Sequence, residues 1–381
     1  MKNIGVICEY NPFHNGHEKQ LAVLRERGTV VCLMSGNYVQ RGEPAILDKL
    51  TRARAAVLCG ADVVLELPLT YAIRSAEGFA DGAVDIFTKL GCVDTLAFGC
   101  EEVDHNKIMS TARALLTPEF PGFLKIELAL GRSFPAARQR ALERLGADAT
   151  LLTAPNNILA VEYCKAILRR GETLSPLMLH REGSYHLSDD PENPSASFLR
   201  GRDDWTGFVP AAAQEAFRDA PRYQLAAGER AWLARLRSMP DEEFAALPYG
   251  SEGLWRKVAA ACRSERTLED ILTAAKSKRY TRTRLMRLLL CAYLGIAEER
   301  LVDEAPYVRV LAVSERGQGV LRQMKKLGVV PIVNPGALPP DLDYWQLEQR
   351  AAALFELFRC DTIGPADSER RARIVRIVPG E

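Results

Sequence analysis

Two histidines flank a glycine in His14-Asn15-Gly16-His17, which sets two imidazoles within about one turn of chain. A neutral imidazole donates one hydrogen bond, so such a pair can hold phosphoryl oxygens while charge builds on them during displacement at phosphorus. That is electrostatic stabilisation and needs no covalent intermediate. Gly16 would let a ligand approach the backbone closely. Taken alone, His14 and His17 fit polar loop or cap residues equally well, and it is the surrounding chain that favours phosphate chemistry.

The apolar run Ile4-Gly5-Val6-Ile7-Cys8 reads as a buried strand, Asn11-Pro12 as a turn, and the chain from Gly16 onward as a helix. A helix starting just past a strand end presents unpaired N–H groups and the positive end of its dipole to an anion. Short apolar runs at 3–8, 29–34, 62–67, 93–98 and 174–180 alternate with helical spacing near 17–27, 48–59, 78–90, 107–145 and 157–170. This alternation predicts an α/β layer with a parallel sheet over residues 1–200. Ligands of such sheets collect at the carboxyl ends of the strands. Polar and glycine residues cluster after each expected strand, in 9–17, 35–44, 66–68, 99–102 and 181–186.

With 381 residues, 47% hydrophobic and 26% charged, the chain is long enough for two domains with cores. A formal charge of +1 excludes a global field that draws the protein onto nucleic acid, so polyanion binding would need a local patch. The nine cysteines are scattered singly without a C-x-x-C pair, which points to neither a zinc ribbon nor a redox motif. No leader precedes the first strand and no apolar run approaches the roughly 20 residues of a membrane span, so a reducing cytoplasm is the expected home.

Beyond the connector 189–194 the strand signal gives way to helical runs at 229–238, 253–264 and 283–295. A small α/β element returns at 308–313, 317–326 and 329–333 within this mostly helical second region, 201–381. Its clearest feature is the stretch 276–287, where Lys276, Lys278, Arg279, Arg282, Arg284 and Arg287 occur with no acidic residue. Phosphate-backbone binding wants this density of cations, and Tyr280 could stack on a base or ribose. A solvated helix face is the plainer reading of a charge run. Arg316, Arg322, Lys325 and Lys326 could extend the surface.

These residues carry a family resemblance. The His14–His17 signature on a strand-turn-helix resembles the nucleotidyltransferase superfamily that shares its fold with class I aminoacyl-tRNA synthetases. Glu9-Tyr10-Asn11-Pro12-Phe13-His14-Asn15-Gly16-His17, Met34-Ser35-Gly36-Asn37, Gln40-Arg41-Gly42-Glu43-Pro44-Ala45, Glu66-Leu67-Pro68, Ser75-Ala76-Glu77, Pro155-Asn156-Asn157-Ile158-Leu159 and Lys278-Arg279-Tyr280-Thr281-Arg282-Thr283-Arg284 together resemble the bacterial tRNA(Met) cytidine acetate ligase family. The resemblance implies a Rossmann-like nucleotidyltransferase domain followed by a tRNA-binding region. It implies a reaction in which acetate attacks the α-phosphorus of ATP, and the acetyl-adenylate then acetylates the wobble cytidine of elongator tRNA(Met). Positioning would supply most of the acceleration.

By the same resemblance, Ile7, Cys8, Glu9, Tyr10, Asn11, Pro12, Phe13, Asn15, Gly16, Glu18, Lys19 and Gln20 wrap the nucleotide around His14 and His17. Gly99 leaves room for adenosine or ribose; Asn156 and Arg181 match later nucleotide contacts, and adjacent Asn157 competes with Asn156 for that role. Ser195, Ser197 and Arg200 resemble the second phosphate-binding motif. Cys100 stands where the family has serine, and Cys8 where a small or apolar residue is common.

Glu9, Asp48, Glu66 and Glu77 could help a magnesium ion carried with ATP, but none forms a cage by spacing and no metal ligand is assigned. His180 reads as a rim or core residue, His186 is evenly balanced, and His105 reads as solvent-facing. Trp205, Trp232 and Trp255 read as packing residues, with Trp345 open. Two further functions fit the same nucleotide site. One is a metabolic enzyme adenylylating a small phosphorylated or carboxylated metabolite, and the other an RNA-binding protein without turnover. The basic stretch 276–287 favours the ligase over the metabolic enzyme.

Overall fold

A strand buried on both faces reads as a continuous apolar run, and four such runs, with a half-buried fifth at the edge, build most of one sheet in the computed structural model, which describes residues 2–181, 189–301 and 304–377. Strand β1 (Lys2–Cys8) pairs in parallel with β2 (Gly28–Ser35), and β2 with β5 (Val63–Leu67). On the other side β1 pairs with β6 (Thr95–Cys100) and β6 with β7 (Ser175–His180), again in parallel. The chain thus builds outward from β1 in both directions, and its order reverses between β1 and β6. That reversal opens a crevice at the carboxyl ends of the two strands.

The expected strands recur within about two residues, and three features differ from the reading above. A short antiparallel hairpin, β3 (Tyr38–Val39) with β4 (Glu43–Pro44), follows β2. The stretch 107–145, expected as one long helical excursion, forms three helices, His105–Ala114, Phe120–Ala129 and Phe134–Arg144, the latter two with proline in the first turn. The small α/β element of the second region is part of the first sheet. Strand β8 (Val308–Ser314) lies antiparallel to β5, and β9 (Ile332–Val333) and β10 (Val375–Ile377) pair in parallel with β8. The sheet is therefore mixed at this edge. A strand as apolar as Val308-Arg309-Val310-Leu311-Ala312-Val313 needs cover and backbone partners, and the open side of β5 provides both.

A buried ion network fastens this edge. Lys49, in helix α2 (Lys49–Leu58), holds Glu66 of β5 and Glu369 at 2.8 Å, while Arg309 of β8 pairs with Glu348 at 2.8 Å and lies over the Trp345 ring. The attraction of the two carboxylates outweighs burial at Lys49, whose pKa is raised. Between β7 and β8 the chain is mostly helical around a second core that includes Trp232, Phe244, Leu289 and Phe358, and Tyr38 of the hairpin packs into that core. No helix among the described residues is long and apolar enough to cross a membrane.

Candidate active site

The turn after β1 is built on buried aromatic residues. Tyr10, at φ +46°, points its hydroxyl at the Cys32 sulfur at 3.5 Å, and Phe13 is fully buried. Their rings meet the His17 ring at centroid distances of 4.9 and 5.5 Å. Asn11 closes the turn by accepting the Ile46 N–H on Oδ1 at 2.8 Å, while its carbonyl accepts Arg200 Nη1 at 2.9 Å. His14 then caps helix α1 (Asn15–Arg25), and the His14 and His17 rings stack at 3.7 Å with planes 24° apart. A Cβ on Gly16 would stand 3.2 Å from the His14 ring, so glycine gives that ring its place against the helix start.

The His14 backbone N–H donates to His17 Nδ1 at 3.3 Å, which leaves the proton of a neutral His17 on Nε2. His14 is buried, and neither ring nitrogen has a hydrogen-bond partner among the described residues. Burial and the Arg181 guanidinium push the His14 pKa down to about 3. Burial, His14 and Arg181 push His17 down as well. Both rings are neutral at pH 7. An unpaired buried donor costs about 1–3 kcal/mol, and a phosphoryl oxygen would remove that cost.

This arrangement predicts acid sensitivity. The folded pKa of His14 lies below the unfolded value of about 6.5, so the unfolded chain takes up its proton first and stability falls as pH drops below 6.5. At pH 5 the loss is about 2 kcal/mol for this one residue. The fall in Tm between pH 7.5 and pH 5 should shrink in His14→Gln; equal falls in variant and wild type would refute the assignment.

The imidazole pair opens into a cavity of about 520 Å³, within the size range of cofactor and nucleotide sites. It lies at the carboxyl ends of β1, β6 and β7, at the sheet's point of reversal. Ile7, Cys8, Glu9, Tyr10, Asn11, His14, Gly16, His17, Lys19, Gln20, Gly99, Asn156, Arg181, Ser197 and Arg200 all line it. A Cβ on Gly99 would meet only the Arg181 Cβ, at 3.8 Å, among the described residues, so none of their atoms requires glycine there. Arg181 Nη1 donates to Asn156 Oδ1 at 3.2 Å, and Arg200 Nη2 donates to Ser197 Oγ at 3.0 Å.

Six expected site residues stand outside the lining. Pro12 and Phe13 are buried in the turn. Asn15 donates its amide to the carbonyls of Pro191 and Gly207, both at 2.9 Å, which ties the connector to α1. Glu18 is half-buried on α1 beside Cys59, whose thiol it helps to raise. Ser195 caps the short helix Ala196–Arg200 by accepting the Phe198 N–H at 3.1 Å. Asn157 is buried and accepts the N–H groups of Glu101 and Glu102 at 3.0 and 3.1 Å, so of the adjacent pair Asn156 faces the cavity and Asn157 braces the loop after β6. The Cys100 sulfur faces the Leu179 carbonyl in the core, and burial pushes its thiol up to about 11, so its departure from serine does not alter the cavity wall.

Several lining residues were not expected as site residues. Gln40, Arg41 and Glu43 come from the hairpin, and Phe79, Leu159 and Tyr163 from helix faces that read as ordinary core. The motifs around Gln40-Arg41-Gly42-Glu43 and Ser75-Ala76-Glu77 were the available signal. His180 is exposed on the rim, His105 is exposed, and His186 lies outside the described residues. Trp205, Trp232 and Trp345 are buried. Arg52, fully buried, donates to the carbonyls of Glu9, Ser35 and Gly36 and so ties together the chain ends leaving β1 and β2.

Of the four carboxylates considered for magnesium, only Glu9 lines the cavity. Asp48 caps α2, Glu66 serves Lys49, and Glu77 pairs with Lys165 and Arg169. No group of three or more His, Cys, Asp or Glu among the described residues could hold a metal.

The basic stretch divides into two sets. Lys276, Lys278, Arg279 and Arg282 are exposed; Arg279 lies 3.5 Å from Glu252, and Arg282 grips Glu269 with two 2.7 Å bonds. Arg284 is half-buried and holds the Tyr249 carbonyl at 3.1 Å and Ser251 Oγ at 2.9 Å. Arg287, expected on the RNA surface, is buried because helix Arg282–Leu294 enters the second core at Leu285.

The HIGH Nucleotidyl Transferase family matches residues 1–368. Among similar proteins is the tRNA(Met) cytidine acetate ligase of Caldicellulosiruptor saccharolyticus, 38% identical over 86% of this chain and 86% of that protein. The ligase of the same name from Acetivibrio thermocellus is 35% identical over 87% and 88% of the two chains. The solved structure of Thermotoga maritima TmcAL in its apo form I superposes with a TM-score of 0.90, 29% identity and coverage of 99% of this chain and 100% of that one. The same protein bound with alpha-thio ATP gives 0.88 at the same identity and coverage.

Proposed function

We propose, from the premise that this chain belongs to the HIGH Nucleotidyl Transferase family, that it is an ATP-dependent ligase acetylating the wobble cytidine of elongator tRNA(Met). The observation that carries the site assignment is the pair of neutral, stacked imidazoles at the point where the sheet order reverses, one of them with no hydrogen-bond partner among the described residues.

In the first step a carboxylate oxygen of acetate forms a bond to the α-phosphorus of ATP, the bond from that phosphorus to the bridging oxygen breaks, and pyrophosphate leaves with the electron pair. His14 and His17 donate to the phosphoryl oxygens as charge shifts outward, with Lys19, Arg181 and Arg200 supplying positive charge around them. Gly99 and Asn156 take the nucleoside. Magnesium, arriving on the phosphates, would neutralise charge there, and Glu9 and Glu43 are carboxylates of the cavity lining that could meet it. In the second step the cytidine N4 attacks the acetyl carbonyl carbon, AMP leaves, and the amine loses one proton. The ATP chemistry falls to residues 1–200 and the tRNA contacts to residues 201–381, through Lys276, Lys278, Arg279, Arg282 and Arg284.

The test is product identity. Incubation with ATP, labelled acetate and a pool of unmodified tRNAs should place the label on N4-acetylcytidine of elongator tRNA(Met), with AMP and pyrophosphate released in equal amounts. Label on a small molecule instead of RNA would replace this reading with metabolite adenylylation. Acetate-dependent exchange of labelled pyrophosphate into ATP, without tRNA, tests the adenylate itself.

A further inference from the structure

The backbone of one residue joins the nucleotide cavity to the helix that opens with the basic run. The Gln40 N–H donates to Glu9 Oε1 at 2.8 Å, on the loop leaving β1, and the Gln40 carbonyl accepts Arg287 Nη1 at 3.4 Å. Two residues on, Gly42 adopts φ +83° with its α-carbon so close to this helix that a Cβ would lie 2.7 Å from the Arg287 nitrogen. In the same segment, Gln40, Arg41 and Glu43 line the cavity. The hairpin base is fixed elsewhere, where the Tyr38 hydroxyl donates to the Ala351 carbonyl at 3.0 Å inside the second core.

Arg287 is an uneconomical way to build that contact if packing were its sole purpose. Its side chain is buried, its Nε has no hydrogen-bond partner among the described residues, and its guanidinium lies 5.4 Å over the Tyr249 ring. Buried guanidinium normally demands fuller satisfaction than this. The neighbouring Arg284 and Arg282 are held by Tyr249, Ser251 and Glu269 on the outer side of the same helix. Arg287 and Gly42 thus join the helix to the cavity wall.

We propose that the β3–β4 hairpin is a positioning element for acetyl transfer, seated by Arg287 and Gly42 so that RNA bound at the basic run is brought into register with the cavity. Arg287 acts through Gln40 and touches neither nucleotide nor RNA. The proposal rests on the ligase reading above, and it predicts that the two half-reactions separate. In Arg287→Ala, acetate-dependent pyrophosphate exchange and tRNA Kd should each stay within about twofold of wild type, while the single-turnover rate of acetyl transfer to tRNA falls at least tenfold. Arg287→Lys, which can still donate to the Gln40 carbonyl, should recover a large part of that rate. Gly42→Ala should reproduce the transfer defect by displacing the hairpin, and together with Arg287→Lys it keeps the test open if Arg287→Ala fails to fold.

Unchanged transfer in the folded variants would overturn the proposal. Exchange and transfer falling in the same proportion would also overturn it, leaving a packing role, and so would a loss of tRNA affinity large enough to explain the slower transfer. A wild-type enzyme that performs exchange but never acetylates tRNA would instead remove the ligase reading.

Discussion

His14→Ala and His17→Ala are each expected to lower acetate-dependent pyrophosphate exchange by about 100- to 1000-fold, the usual effect of removing one preorganised donor to a developing oxyanion. The expectation follows from the state of the rings. Both are neutral, the one buried and the other half-buried; His17 has its Nδ1 committed to the His14 backbone, and His14 has no partner among the described residues. Such donors are costly to keep in a fold and useful only when an acceptor arrives. Stability should change far less than activity: His14→Ala removes a desolvated, unpaired group, so part of its packing loss is offset and its Tm should change by only a few degrees. The stack at 3.7 Å couples the two positions, since either ring loses its wall when the other goes. The double variant should then fall short of the product of the single losses. Full exchange in both single variants would remove the phosphate assignment.

What the sequence disclosed was what short-range pattern can carry. Strands β1, β2, β5 and β6 are continuous apolar runs because helices or loops cover both faces, and the histidine turn is legible because its parts are consecutive. Pairing between distant segments leaves no such trace. Nothing in Val308-Arg309-Val310-Leu311-Ala312-Val313 says that it lies antiparallel to β5, and the two-residue strands of the hairpin are too short for any period. The choice between Asn156 and Asn157 turns on the rotation of a helix, set by Glu101 accepting both of their backbone N–H groups, which only the fold reveals. Phe79 and Tyr163 look like core because they are core on one side and cavity wall on the other.

The basic stretch misled for a related reason, and its correction sharpens the second large expectation. Composition counts six cations between 276 and 287, but position divides them. Arg287 is withdrawn into the core, Arg284 anchors the Tyr249–Ser251 turn, and Arg282 is neutralised by Glu269. Lys276 and Lys278 stand exposed, and Arg279 is held only at 3.5 Å by an exposed Glu252, a contact that solvent screens. An RNA phosphate can take these three without first breaking a strong pair. The triple variant Lys276→Ala, Lys278→Ala, Arg279→Ala should thus weaken tRNA binding about 100-fold near 150 mM salt and reduce the slope of log Kd against log salt by about 2 to 3. Pyrophosphate exchange should be unaffected, because none of the three lines the cavity. If the triple variant binds tRNA with wild-type affinity and slope, the RNA lies on another face, and the hairpin would have no RNA to bring into register from this helix.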